Sequence, residues 1–221
     1  MRKVLFSLVI GLAGLAVLLY LGFWQLERLD WKEGKIAEAA AMMALPPEAL
    51  PKDPDPVADR YRPAFAEGRF TGEELFVLSS TRDFGPGFLV IAAFETTDGR
   101  RILVDRGYIR EADRATTRPA REARVTGNLN WPDDKTSATP EPDVAKNFWF
   151  ARDVPHMSEV LGTEPVMLIA AEETGDQVMP MPATAAFRND HLGYAVTWFG
   201  LAIVWLGMTG YWLWRIRARK D

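Results

Sequence analysis

The sequence predicts a membrane protein in which two transmembrane α-helices flank a mainly antiparallel β (α+β) exterior domain. Three observations carry this expectation. Residues 4–24 form an apolar run without a charge, residues 192–214 form a second, and the stretch between them is built of short β-prone runs punctuated by glycine and proline. Each apolar run meets the ~20 helical residues that a hydrocarbon core requires.

The elements follow in chain order. A short tail (residues 1–3) carrying Arg2 and Lys3 precedes the first transmembrane helix (4–24), and a basic tail (215–221) carrying Arg215, Arg217, Arg219 and Lys220 follows the second (191–214). Basic flanks favour the cytoplasmic side, which puts both termini there and residues 25–190 outside. A cleaved signal peptide would also be apolar, but the first run continues through Leu21-Gly22-Phe23-Trp24 with no clear small-x-small cleavage site and reads as a retained anchor. Residues 27–43, rich in alanine and glutamate, extend that helix as a stalk until Pro46, Pro47, Pro51, Pro54 and Pro56 stop it in a linker or draped loop. Strands are expected over 64–70, 75–81, 88–95, 101–109, 124–131, 147–152 and 165–172, with a hairpin turn at Asp98-Gly99. A short helix beginning at Pro155 covers 155–161, and the polar stretch 131–146 is a loop. Gly85-Pro86-Gly87 reads as a sharp turn into a strand. In Arg106-Gly107-Tyr108 the glycine marks a bulge or close approach, and the arginine is suited to anchor a carboxylate.

Charge and composition exclude several function classes. The chain carries −4, and because the two tails account for +2 and +3, the residues between them carry −9. Such a domain repels phosphate backbones, so nucleic acid is not expected as a partner. The absence of cysteine fits an oxidising compartment and removes disulfides, thiolate metal sites and a cysteine nucleophile. The exterior segment holds one histidine, no Gly-x-Ser-x-Gly elbow and no Walker-type loop, so hydrolase or nucleotide chemistry has no visible machinery there. His156 reads as an exposed or capping residue, while Glu172, Glu173, Asp133 and Asp134 read as solvated surface.

The second apolar helix is more informative. His191, Trp198 and Trp205 recur every seven residues and form one stripe, while Gly193, Gly200 and Gly207 form another about 200° around the helix. In the first helix Ser7, Gly11 and Gly14 make a small-residue seam that allows close approach of another helix, from this chain or a partner. A neutral imidazole is a good ligand for haem iron, and flanking aromatics can cover a porphyrin face. The alternative, that His191 binds headgroups, water or the exterior domain while Trp198 and Trp205 only pack, stays open on this chemistry.

The stretch Gly22-Phe23-Trp24-Gln25-Leu26-Glu27-Arg28-Leu29-Asp30-Trp31-Lys32 resembles the Gly-x-Trp-Gln-x-x-Arg-x-x-Trp-Lys signature of the Surfeit-locus-one proteins, which assist assembly of haem–copper cytochrome oxidase. Three later blocks agree in order: residues 85–89, the 103–108 strand end and the 189–198 entry into the second helix. In this family two helices bracket a mainly β exterior domain, and the histidine opening the second helix is implicated in haem a binding in bacterial members. The resemblance therefore implies an aa3-type oxidase assembly factor, not an enzyme and without catalytic residues, that receives haem a and presents it to the oxidase catalytic subunit. His191 would ligate the iron, Trp198 would flank the ring, and Arg28 would pair with a propionate, with Trp24, Gln25 and Trp31 at the same outer boundary. Partners implied are the catalytic subunit, the haem a synthesis enzymes and membrane lipid. A cofactor-free scaffold, holding oxidase subunits or other assembly factors through the exterior domain and the glycine-rich faces of Gly193, Gly200 and Gly207, with Gln25 and Trp31 at the interface, is the competing expectation. Tyr108, Arg110 and Asp190 depart from the commoner family wording and weaken any role for the Arg-Gly-Tyr block. The short basic tail leaves no room for a mitochondrial transit peptide, which points to a bacterial inner membrane with a periplasmic domain.

Overall fold

The computed structural model describes residues 2–184 and 189–218 and divides the chain into two compact units, residues 1–38 with 186–221 and residues 39–185. No proline occurs before Pro46, and α1 (Arg2–Met43) accordingly runs unbroken for 42 residues, taking in the expected stalk. α3 (His191–Ala218) is likewise free of proline and runs for 28 residues. Both helices are long and apolar enough to cross a membrane. Their outward side chains, Leu5, Phe6, Val9, Leu12, Ile203, Val204 and Leu206 among them, are exposed.

Within the first unit α1 and α3 pack against each other in opposite directions. Gly11 faces Thr209, Gly14 faces Trp205, Gly22 and Phe23 meet Phe199, and Gln25 meets His191. The buried or half-buried residues of α3 are His191, Ala195, Trp198, Phe199, Ala202, Trp205, Thr209, Leu213 and Ile216, spaced mostly by three and four residues as a helix seam requires.

The second unit is a mixed sheet whose ends meet. The strands are β1 (Glu48–Ala49), β2 (Pro63–Thr81), β3 (Gly85–Thr96), β4 (Arg101–Arg110), β5 (Arg121–Leu129) and β6 (Met167–Ala170). Their order is β1-β2-β3-β4-β6-β5, and β5 pairs back onto the first half of β2. Closure of that kind removes the open edges that invite intermolecular pairing. Four pairings are antiparallel, while β1–β2 and β4–β6 are parallel. The expected strands 64–70 and 75–81 are one long strand, jogged between Phe70 and Glu74 where Gly72 takes φ +87°. The proline-rich stretch contributes the two residues of β1.

One expected strand is absent. Residues 147–152 make only bridges, Val77 to Trp149 and Asp143 to Phe148, because Asn147 turns the chain through a left-handed conformation, φ 50°. The segment instead inserts Trp149, 1% exposed, beneath α2 (Val154–Leu161). That helix starts as expected: Asp153 caps the His156 N–H, Pro155 lies in the first turn, and Gly162 ends the helix at φ 61°.

Alternate residues divide between two cores. Ala64, Ala66, Phe70, Ala92, Phe94, Ile102, Val104, Val125, Leu129 and Leu168 fill one face of the sheet. Leu75, Val77, Ile91, Leu103 and Met167 on the other face lie under Trp149 and α2. β4 is buried on both faces from Ile102 to Ile109, Asp105 and Arg106 included. Gly107 supplies the bulge, with φ +112°; a Cβ there would strike the Met179 carbonyl, and the β3–β4 register shifts beside it. Arg106, 2% exposed, does anchor a carboxylate: Nη2 lies 2.6 Å from Asp176, Nε donates to Thr174, and the guanidinium lies over Phe70. Burial pushes the Glu74 carboxyl up against the pull of Arg118, its partner at 2.9 Å.

Candidate functional site

The expected site residues fall in the first unit, at the end where α3 begins. His191 opens α3 and is half-buried, and its Nδ1 lies 2.7 Å from Oε1 of Gln25. Gln25 is 8% exposed, a buried amide at the end of the apolar run Leu21-Gly22-Phe23-Trp24. Burial of an amide is tolerated when it is hydrogen-bonded, and the imidazole meets that need. Among the described residues Nδ1 is the only ring nitrogen of His191 with a partner. Beside it Asn189 Oδ1 is buried without one.

The helices come together here because α1 is nearly bare where α3 is bulky. A Cβ added at Gly14 would lie 2.6 Å from the Trp205 ring, and one at Gly22 would lie 2.7 Å from Phe199. The Trp205 indole is held in addition by a 2.9 Å bond from Nε1 to the Gly11 carbonyl. The seam of Ser7, Gly11 and Gly14 is therefore complementary to the aromatic stripe of this same chain. Trp198 is half-buried on that stripe, two turns or about 10.5 Å along the axis from His191.

The remaining expected residues surround this pair more loosely. Arg28 lies one turn beyond Gln25, with its guanidinium 4.4 Å from the centroid of the Trp31 ring, and no carboxylate among the described residues pairs with it. Trp24 and Trp31 are 42% and 52% exposed, so both rings present faces outward. Gly193, Gly200 and Gly207 have nothing within 4 Å of an added Cβ and leave the opposite side of α3 open. No group of three or more histidine, aspartate or glutamate side chains suited to a metal ion occurs among the described residues. The donor set fits haem iron ligated by a single imidazole from this chain, with a cation one turn away for a carboxylate.

The bond from Gln25 to His191 spans 166 positions in sequence. Its only advance signal is a glutamine embedded in Phe23-Trp24-Gln25-Leu26, a polar residue that has to find a partner if it is buried. His156, by contrast, serves α2: its backbone N–H is capped and its ring meets Trp149 edge-on at 4.9 Å.

A family model described as the SURF1 family matches residues 12–203, which takes in the sheet domain, most of α1 and the first half of α3. The chain belongs to the SURF1 family. SURF1 relatives include Surfeit locus protein 1 of Xenopus tropicalis, 31% identical over 207 residues, covering 81% of this chain and 67% of the relative. The human Surfeit locus protein 1 is 30% identical over 205 residues, covering 81% and 68%. A SURF1-like protein of Rickettsia bellii is 31% identical over 197 residues, covering 83% and 81%. The chain thus spans about two thirds of the Xenopus and human proteins and more of the Rickettsia one.

Proposed function

We propose that this SURF1 protein is a membrane-anchored assembly factor for an aa3-type haem–copper cytochrome oxidase, which receives haem a and presents it to the catalytic subunit. The observation that carries the reading is the engagement of His191, among the described residues, through Nδ1 alone, at the head of a packed helix pair. Haem iron, once bound, supplies a Lewis-acidic centre that takes a nitrogen lone pair. The chain's own residues do the rest. His191 offers its second ring nitrogen, Trp198 walls the same face with an indole, and Arg28 offers guanidinium donors to a propionate. A carrier of this kind binds and orients cargo without making or breaking bonds in it.

Helix length supports the anchoring. At 1.5 Å per residue α3 is about 42 Å long and α1 about 63 Å, against a hydrocarbon core of ~30 Å, so α1 has length to spare for a stalk. Basic residues at the start of α1 and at the end of α3 favour an orientation with both termini in the cytoplasm and the sheet domain in the periplasm of a bacterial inner membrane. The haem a synthesis enzymes would then act upstream of the chain and the oxidase catalytic subunit downstream, within the same bilayer.

The deciding experiment is purification in detergent from cells that make haem a, beside His191→Ala. Near-stoichiometric haem a in the parent and almost none in the variant supports the reading. A colourless parent that still recovers oxidase subunits favours a cofactor-free scaffold. The open face along Gly193, Gly200 and Gly207 is the observation that favours this second reading, since a partner helix can approach closely there.

A further inference from the structure

Gln25 is a buried amide whose oxygen stands against an imidazole nitrogen. An amide carbonyl only accepts hydrogen bonds, so the nitrogen facing it, Nδ1, must carry the ring proton. In a neutral imidazole the lone pair then belongs to Nε2. Which nitrogen of a histidine is free to ligate is set by the bond the other one makes. An unrestrained histidine side chain favours the opposite form, with the proton on Nε2, so the contact imposes a tautomer and does not merely record one.

We propose that Gln25 is a positioning residue that locks His191 in its Nδ1–H tautomer and fixes the ring, presenting the Nε2 lone pair to haem iron. This rests on the carrier reading of His191. Histidine ligands generally donate their second N–H to a carbonyl or carboxylate, and that partner sets both orientation and basicity. A neutral amide pulls less on the Nδ1 proton than a carboxylate would. His191 is thereby left a weaker donor to iron, suited to cargo that has to be released.

The chain has two histidines, His156 and His191, so histidine labelled with nitrogen-15 gives a spectrum of two imidazoles. The test uses full-length protein in detergent micelles without haem, at about pH 8, where an ordinary imidazole is neutral. His156→Gln assigns the remaining signals to His191. The expected result is the Nδ1–H form for His191 in the parent and a shift toward the Nε2–H form in Gln25→Met, which keeps length and removes the acceptor. A parent already in the Nε2–H form, or a tautomer unchanged in Gln25→Met, overturns the proposal.

The loaded protein supplies a second readout. Gln25→Met is expected to weaken haem a binding by about 10–100-fold. Gln25→Glu, which keeps an acceptor, is expected to restore binding with a reduction potential lower than the parent's. Restoration of affinity without any change in potential overturns the basicity argument. If the parent shows the expected tautomer yet takes up no haem a, the carrier reading falls, and the purpose assigned to Gln25 falls with it. A parent that binds haem a with its tautomer indifferent to Gln25 overturns the role of Gln25 alone.

Discussion

Asp105 lies within β4 at 1% exposure, its Oδ1 accepting the Gly107 N–H at 3.0 Å and its Oδ2 facing Arg152 at 3.1 Å. Burial pushes its carboxyl up, and Arg152 only partly opposes that. The folded chain therefore keeps this proton to higher pH than the unfolded chain does. The contribution of the group to stability is complete below about pH 4 and is lost as pH rises through the folded value, at no more than about 1.4 kcal/mol per pH unit. Asp105→Asn, which cannot ionise, should abolish that term. Urea unfolding of the sheet domain in the full-length protein, followed by tryptophan emission, should show the stability of the parent falling relative to the variant from about pH 4 upward. A constant difference between the two proteins across that range would refute the assignment. At this scale the sequence was only partly legible. That Arg106 is suited to hold a carboxylate was readable from its place after the apolar run Ile102-Leu103-Val104, but the identity of Asp176, 70 positions away, was not. Gln25 and His191 were both singled out as residues, yet their bond joins two separate helices and has no local signature.

Elements were more legible than contacts, because helix and strand periods are written locally. The aromatic and glycine stripes of α3 occupy different sides of the helix as their spacing requires, with Trp205 inward and Gly200 open. The misread segment 147–152 has the composition of a strand, Asn-Phe-Trp-Phe, but its aromatic residues serve packing. Phe148 meets Phe88 edge-on, Trp149 goes beneath α2, and Arg114 lies over Phe76, Phe88 and Phe148. Tertiary burial overrode β propensity there. The inequality of the glycines gives the prediction that belongs at this scale. Gly14→Leu drives a side chain into the Trp205 ring and should separate α1 from α3, so that Gln25 and His191 no longer meet. Gly200→Leu meets open space and should leave the pair intact. On the carrier reading the first variant should lose haem a at least as severely as Gln25→Met although every ligand residue is retained, and the second should keep it. Equal pigment in the two would show that helix pairing does not control the site.

Closure of the sheet was the least legible feature, since β5 reaches both β6 and β2 through pairings of strands far apart in sequence and no turn signal records them. The two-helix plan, by contrast, followed from two apolar runs alone, and its orientation from the basic residues beside them. Orientation also decides what the site can do, because His191 and Gln25 lie at the end of the helix pair away from Arg215 and Arg217. If the basic ends are cytoplasmic, cargo is held near the periplasmic boundary; if they are not, it is held on the cytoplasmic side. The lack of cysteine makes the question directly measurable. A cysteine replacing Asp133, in the polar loop after β5, should react with a membrane-impermeant maleimide in intact spheroplasts. One replacing Arg217, near the end of α3, should react only after the membrane is opened. The reverse pattern would invert the topology and move the proposed handover of haem a to the cytoplasmic face. Labelling of both positions in intact spheroplasts would remove α3 as a membrane span, and without that span the carrier reading has no bilayer in which to hand haem a on.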